Sequence, residues 1–217
     1  MEDSILTQRE FCYKCNRPQS SCMCKFINSF DTNTKFVILM HPKEHRKTKN
    51  GTGKLTSLQL KNSEIFVGID FSNHKKINEY IKEYNCFVLY PHKEAIQLNS
   101  TSLKQKDCNK KILLFIIDST WPCSKRMLKL STNLNSLKKV SFISNQLSNF
   151  KFKTQPSDYC LSTIESTKTI LELLNHHKIE NIEKSKLDTF LLPFEKLVEY
   201  QITCSHKSEV RYKSPTI

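Results

Sequence analysis

Residues 112–117, Ile-Leu-Leu-Phe-Ile-Ile, are six consecutive apolar positions closed by Asp118. A strand with one wet face alternates apolar and polar residues, so an unbroken run of this length points to burial on both faces. Helices covering both sides of a mainly parallel sheet provide that burial. Residues 35–41, 64–69, 86–91 and 139–144 are short apolar or β-branched runs and are predicted strands. Residues 54–61, 73–84 and 121–130 separate them with helix-compatible patterns. Ser162-x-x-Glu165 reads as a capping box opening a helix with Ile164, Leu171 and Leu174 inward, and a final helix is predicted over 187–204. The expected fold class is α/β, a mostly parallel sheet with flanking helices, and 217 residues suffice for one such domain plus a small module.

Asp118-Ser119-Thr120-Trp121 falls at the carboxyl end of the central predicted strand, where open α/β sheets hold ligands. The acid can accept a proton, the hydroxyls can orient polar groups, and the single tryptophan of the chain can stack on a base. Pro122 suits a first helical turn. The same residues also fit a structural reading, with Asp118 as an N-cap and Trp121 as a buried anchor. Gly51-Thr52-Gly53-Lys54 holds two of the three glycines. A Walker loop is excluded, because Thr48 replaces its first glycine and Leu55 its magnesium-binding hydroxyl. What remains is a loop and helix start able to hold a carboxylate or phosphate, or a simple turn.

Cys12-x2-Cys15-x6-Cys22-x-Cys24 gathers four of nine cysteines within thirteen residues. One loop can wrap these thiolates around a tetrahedral zinc, the alternatives being metal-free thiols or an iron–sulfur cluster. A closed four-thiolate site is structural. The expected organisation is a zinc-knuckle-like module over 1–30, a main domain over 31–204 and a basic tail over 205–217. Lys14, Arg17 and Lys25 are expected to project beside the knuckle toward phosphates. No apolar run approaches a membrane span and residues 1–10 lack the apolar core of a signal peptide, so a reducing, cytoplasmic location without membrane attachment is expected. Lysine and arginine outnumber the acids 34 to 21, for a net charge of +13. That excess suits a polyanion such as nucleic acid, although surplus lysines also simply coat a solvated face.

Asp118-x-Thr120-Trp121 followed by Lys125-Arg126-Met127 resembles the signature of the DTW-domain family of tRNA-uridine aminocarboxypropyltransferases. Cys12-x2-Cys15-x2-Pro18-x3-Cys22-x-Cys24, His41-Pro42-x-Glu44, Thr52-Gly53-Lys54-Leu55, Tyr90-Pro91 and Cys160-Leu161-Ser162-Thr163-x-Glu165 resemble that family's other landmarks and run in the same order. The chain departs from the pattern where Gly51 is inserted between Asn50 and Thr52, and where Lys54 stands for arginine. The resemblance implies a fold related to the SPOUT knotted methyltransferases. It also implies a pocket for S-adenosylmethionine built from Tyr90, Pro91, Ser119, Thr120, Trp121, Leu161, Ser162 and Thr163. The implied reaction moves the aminocarboxypropyl group to N3 of a tRNA uridine and releases methylthioadenosine. Thr52, Gly53, Lys54, Lys125 and Arg126 are then candidate RNA contacts. Asp118 is the candidate general base, with orientation of the cofactor or of the Thr120 backbone as its rival role. Because N3 lies on the Watson–Crick edge, the uridine must be unpaired or flipped out. A SPOUT-like RNA methyltransferase and a non-enzymatic zinc-containing RNA-binding protein are the competing expectations.

Overall fold

The computed structural model describes residues 10–46, 51–103, 110–144 and 161–205. In chain order the strands are β1 (Lys35–Met40), β2 (Ser63–Val67), β3 (Asn85–Leu89), β4 (Ile96–Gln97), β5 (Ile112–Asp118) and β6 (Lys138–Ser141). The α-helices are α1 (Pro42–Arg46), α2 (Thr52–Gln59), α3 (Lys75–Glu83), α4 (Trp121–Leu130), α5 (Thr132–Asn135), α6 (Thr163–His176), α7 (Lys184–Asp188) and α8 (Leu192–Ser205). Among the described residues one sheet forms, in the order β2-β1-β5-β3-β6-β4, and every neighbouring pair is parallel. The α/β expectation is met.

The apolar run behaves as its lack of alternation requires. Leu114 and Ile116 face one core, with Phe36 and Phe87 of the sheet and Leu55, Ile164, Ile170, Leu171, Leu174 and Phe194 of α2, α6 and α8. Leu113 and Phe115 face the other, with Val37, Leu39 and Val88 and with Ile77, Met127, Leu128 and Leu134 of α3, α4 and α5. Successive residues of a strand point to opposite faces, so both sets must be apolar when both faces carry helices. The Glu165 carboxylate accepts the Ser162 backbone N–H at 2.8 Å, the acid's half of the capping box that starts α6.

Several local readings change. A further helix, α1, follows β1, and Pro42 opens it in the first-turn position that proline favours. The last strand stops at Ser141 rather than at residue 144. The predicted helix over 187–204 is instead two helices. Between them the chain turns at residues 189–191, which drives Phe190 into the core at 0% exposure and leaves its carbonyl to accept from the buried Gln59 Nε2 at 2.8 Å. Gln59 also accepts from the Asn28 N–H at 2.9 Å, and its carbonyl accepts from Phe30 N–H at 3.1 Å. Met23 and Phe30 thus join the main core. Cys160, Thr48, Asn50 and the tail beyond Ser205 lie outside the described residues. No described helix is long and apolar enough to cross a membrane.

Edge strand β2 is tied down electrostatically. Glu64 accepts from Lys35 of β1 at 2.8 Å and from Tyr80 of α3 at 2.6 Å, and pairs with Lys76 at 2.7 Å. Burial works to raise the Glu64 pKa, but these donors outweigh it and bring it from 4.5 to about 2. A lowered carboxylate pKa stabilises the fold above its unfolded value and loses that contribution as pH falls toward its folded value. The stability gap between wild type and Glu64→Gln, measured by urea denaturation, is therefore expected to narrow as pH drops from about 6 toward about 3.

Candidate active site and metal centre

Asp118 ends β5 and is 6% exposed, and three segments converge on it. Thr163, the first residue of α6, donates its hydroxyl to Oδ1 at 2.6 Å. Gly53, the second residue of α2, packs so tightly that a β-carbon there would lie 2.3 Å from Oδ2. His41, which follows β1, donates its N–H to the Asp118 carbonyl at 3.0 Å. The N-termini of α2 and α6 both abut the carboxylate, and their partial positive ends favour its negative charge. Thr120, not Asp118, is the N-cap position of α4, and it makes no side-chain capping bond.

Around this carboxylate lie the other residues singled out from the sequence. Tyr90 follows β3 and Trp121 follows β5, so adjacent parallel strands deliver both rings to the same edge, 6.2 Å apart at 59°. Trp121 is 42% exposed, which excludes the buried-anchor reading. Pro91 and Thr120 are exposed, whereas Ser119, Leu161, Ser162 and Thr163 are half-buried. The Ser119 hydroxyl donates to the Thr120 carbonyl at 3.2 Å, and that of Ser162 to Glu165 at 2.6 Å. Lys125 and Arg126 are exposed on α4. At the start of α2 Thr52 and Gly53 are buried, whereas Gly51 and Lys54 keep partial exposure.

His41 is a site residue that the sequence offered only as part of a motif. It is 7% exposed, its Nδ1 accepts the Lys43 N–H at 3.1 Å, and burial together with the charges of Lys43 and Arg126 holds its pKa below the ordinary 6.5. It is thus a neutral imidazole with its proton assigned to Nε2. Its position was available in principle, since in a parallel sheet the residue after β1 lies beside the end of β5.

The four sulfurs of Cys12, Cys15, Cys22 and Cys24 lie within 4.8 Å of one another, with Cys12–Cys24 and Cys15–Cys22 both at 3.7 Å. Zn–S bonds of about 2.3 Å at tetrahedral angles set sulfurs about 3.8 Å apart, so the donors fit this metal. The backbone N–H of Cys15 chiefly draws the Cys12 thiol down to about 6, while burial pushes Cys22 and Cys24 up. A divalent cation lets such a crowded set ionise together. Arg17 does not face solvent as expected but is 2% exposed, with Nη2 donating to the Gly51 carbonyl at 3.4 Å. Burial lowers its pKa and negative charge on Cys15, Cys22 and Cys24 opposes that. Four thiolates around a divalent cation keep net negative charge, the complement a buried guanidinium needs.

The family model described as DTW domain matches residues 9–202. The chain belongs to the DTW domain family. It is 26% identical over 202 residues to tRNA-uridine aminocarboxypropyltransferase 2 of Drosophila melanogaster, covering 90% of this chain and 76% of that protein. Against the protein of the same name from Macaca fascicularis it is 25% identical over 209 residues, covering 94% and 67%. It is also 26% identical over 137 residues to tRNA-uridine aminocarboxypropyltransferase A of Arabidopsis thaliana, covering 57% and 52%. No solved structure matches.

The geometry of this DTW domain makes two expectations. Gly53→Ala forces a methyl group into the Asp118 carboxylate and should cost roughly 1–3 kcal/mol in urea denaturation, the range for an overpacked site. Elemental analysis of the purified chain should find one zinc, which Cys15→Ser should release along with a fall in Tm.

Proposed function

We propose that this DTW domain transfers the 3-amino-3-carboxypropyl group of S-adenosylmethionine to N3 of a uridine in tRNA. The carrying observation is the similarity, along 90% of the chain, to a relative that bears the name of this activity. In the reaction N3 forms a bond to the aminocarboxypropyl carbon attached to sulfur. The carbon–sulfur bond breaks with its electron pair returning to the sulfonium, methylthioadenosine leaves, and the N3 proton passes to a base. Three carbons on the sulfonium are electrophilic, so the bound pose selects the product by aligning one of them at about 3–3.5 Å.

Tyr90, Pro91, Ser119, Thr120, Trp121, Leu161, Ser162 and Thr163 are assigned to the co-substrate pocket, and Lys54, Lys125 and Arg126 to RNA phosphates, with Thr52 and Gly53 shaping the first turn of α2, which carries Lys54. The exposed Trp121 beside Tyr90 suits stacking on adenine or on the flipped uridine. Asp118 is 6% exposed and bonded to Thr163. That setting supports its role as a positioning residue for the three site segments over direct removal of the N3 proton. Zinc at the four cysteines is structural. We further assign residues 1–30 to the metal module, 31–204 to the catalytic domain and 205–217 to a tail, in a cytoplasmic protein. The proposed SPOUT-like relation draws support from the all-parallel sheet and from Thr163, which follows β6 in the chain and bonds Asp118 at the end of β5.

Incubation of the purified chain with tRNA and S-adenosylmethionine should release methylthioadenosine, read by mass spectrometry with the matching mass gain on uridine. S-adenosylhomocysteine alone would assign a methyltransferase, and saturable RNA binding without either product a non-enzymatic RNA-binding protein. Asp118→Asn should weaken co-substrate binding while kcat stays within about tenfold; a loss of 10²-fold or more in kcat at unchanged affinity returns Asp118 to the role of base.

A further inference from the structure

The metal module carries aromatic side chains that neither the core nor the site uses. Phe11 forms an antiparallel bridge with Pro18, and the Cys12 N–H donates to the Arg17 carbonyl at 2.8 Å, so residues 11–18 close a tight loop. Cys12 turns inward, toward the other thiols, at 7% exposure. Its two neighbours stand out, Phe11 at 59% and Tyr13 at 86%. Lys14 Nζ lies 5.9 Å from the Tyr13 ring centroid. Residues 11–30 contain Lys14, Arg17 and Lys25 and no acid. Phe11 and Tyr13 therefore offer large aromatic side chains to a partner from two positions of one short loop. Exposed aromatic rings, one of them beside an ammonium group, match the two halves of a nucleotide, a base that stacks and a phosphate that pairs.

The loop's position adds to this. Arg17, at its end, reaches the Gly51 carbonyl, and Gly53 two residues on abuts Asp118. The module is therefore one loop away from the candidate active site. We propose that Phe11, Tyr13 and Lys14 form a stacking platform for a second, unpaired nucleotide of the RNA substrate, beside the nucleotide that enters the active site. This inference rests on the reading of tRNA as substrate. A uridine modified at N3 lies in an unpaired segment, whose other bases are also free to stack. A metal held by Cys12 and Cys15 would also fix Tyr13, which lies between them.

The test is fluorescence anisotropy of labelled tRNA with the full zinc-loaded chain, comparing wild type, Phe11→Ala/Tyr13→Ala, Tyr13→Ala and Tyr13→Phe. The double variant should bind about tenfold or more weakly, Tyr13→Ala at least about threefold, and Tyr13→Phe within about twofold, because a stacking face survives in the last. Zinc content and S-adenosylmethionine affinity, measured by calorimetry, should not change. If the double variant loses zinc, Tyr13→Ala decides, since a side chain this exposed does not hold the fold. Lys14→Ala should lower the dependence of binding on salt, which the aromatic variants should not. Wild-type affinity in the zinc-loaded variants overturns the platform and leaves the proposed function standing. Failure of the wild-type chain to bind any tRNA overturns both. Equal weakening by Tyr13→Phe and Tyr13→Ala replaces stacking by a hydroxyl contact and overturns the platform as stated.

Discussion

The Asp118 carboxylate is the constraint around which this molecule is arranged. It terminates the most buried strand, accepts a hydroxyl from Thr163, and leaves room at residue 53 only for hydrogen. The carboxylate thereby fixes α6 by its first residue and α2 by its second, while the backbone carbonyl of Asp118 takes the His41 N–H at the end of β1. A charge this buried is tolerated where hydrogen bonds and helix N-termini compensate it. The loops bearing Tyr90 and Trp121 leave strands that pair directly, so their rings inherit the geometry of the same sheet.

The four-cysteine segment belongs to the same arrangement through two buried polar residues. Gln59 links Asn28, Phe30 and Phe190, so the segment after the cysteines, the end of α2 and the turn before α8 share one side chain. Arg17 joins the sulfur cluster to the Gly51 carbonyl. Both compensate polar groups that the core would otherwise strand, and together they bind the module to the main domain in a way no linker would.

Residues 112–117 were legible because their lack of alternation has one structural solution, and Ile164, Leu171 and Leu174 because a capping box fixes the phase of a helix. Residues 187–204 misled because both helices and the turn between them are apolar enough to read as one segment, and Phe190 anchors in the core without a glycine to mark the break. β4 is two residues long, too short for any period. The site's location was readable from a strand end, and the family landmarks include Gly53, His41 and Thr163, yet their contacts with Asp118 were not readable. Gly53, His41 and Thr163 lie 65, 77 and 45 positions from Asp118, and no local pattern encodes contacts across such separations. Arg17 looked like a surface cation because only the folded sulfur cluster makes its burial tolerable.

The parallel pairing of β1 with β5 has a consequence in time. These strands are neighbours in the sheet but lie at opposite ends of an 84-residue stretch, 35–118, so their contact closes a long loop before any reward arrives. A ribosome delivers Gly53 first, Asp118 later and Thr163 last. Until that threonine emerges the carboxylate has no hydroxyl from α6, although a chain halted before residue 163 already contains all six described strands. The convergence of segments on Asp118 is thus completed only after the strands that carry it have been made.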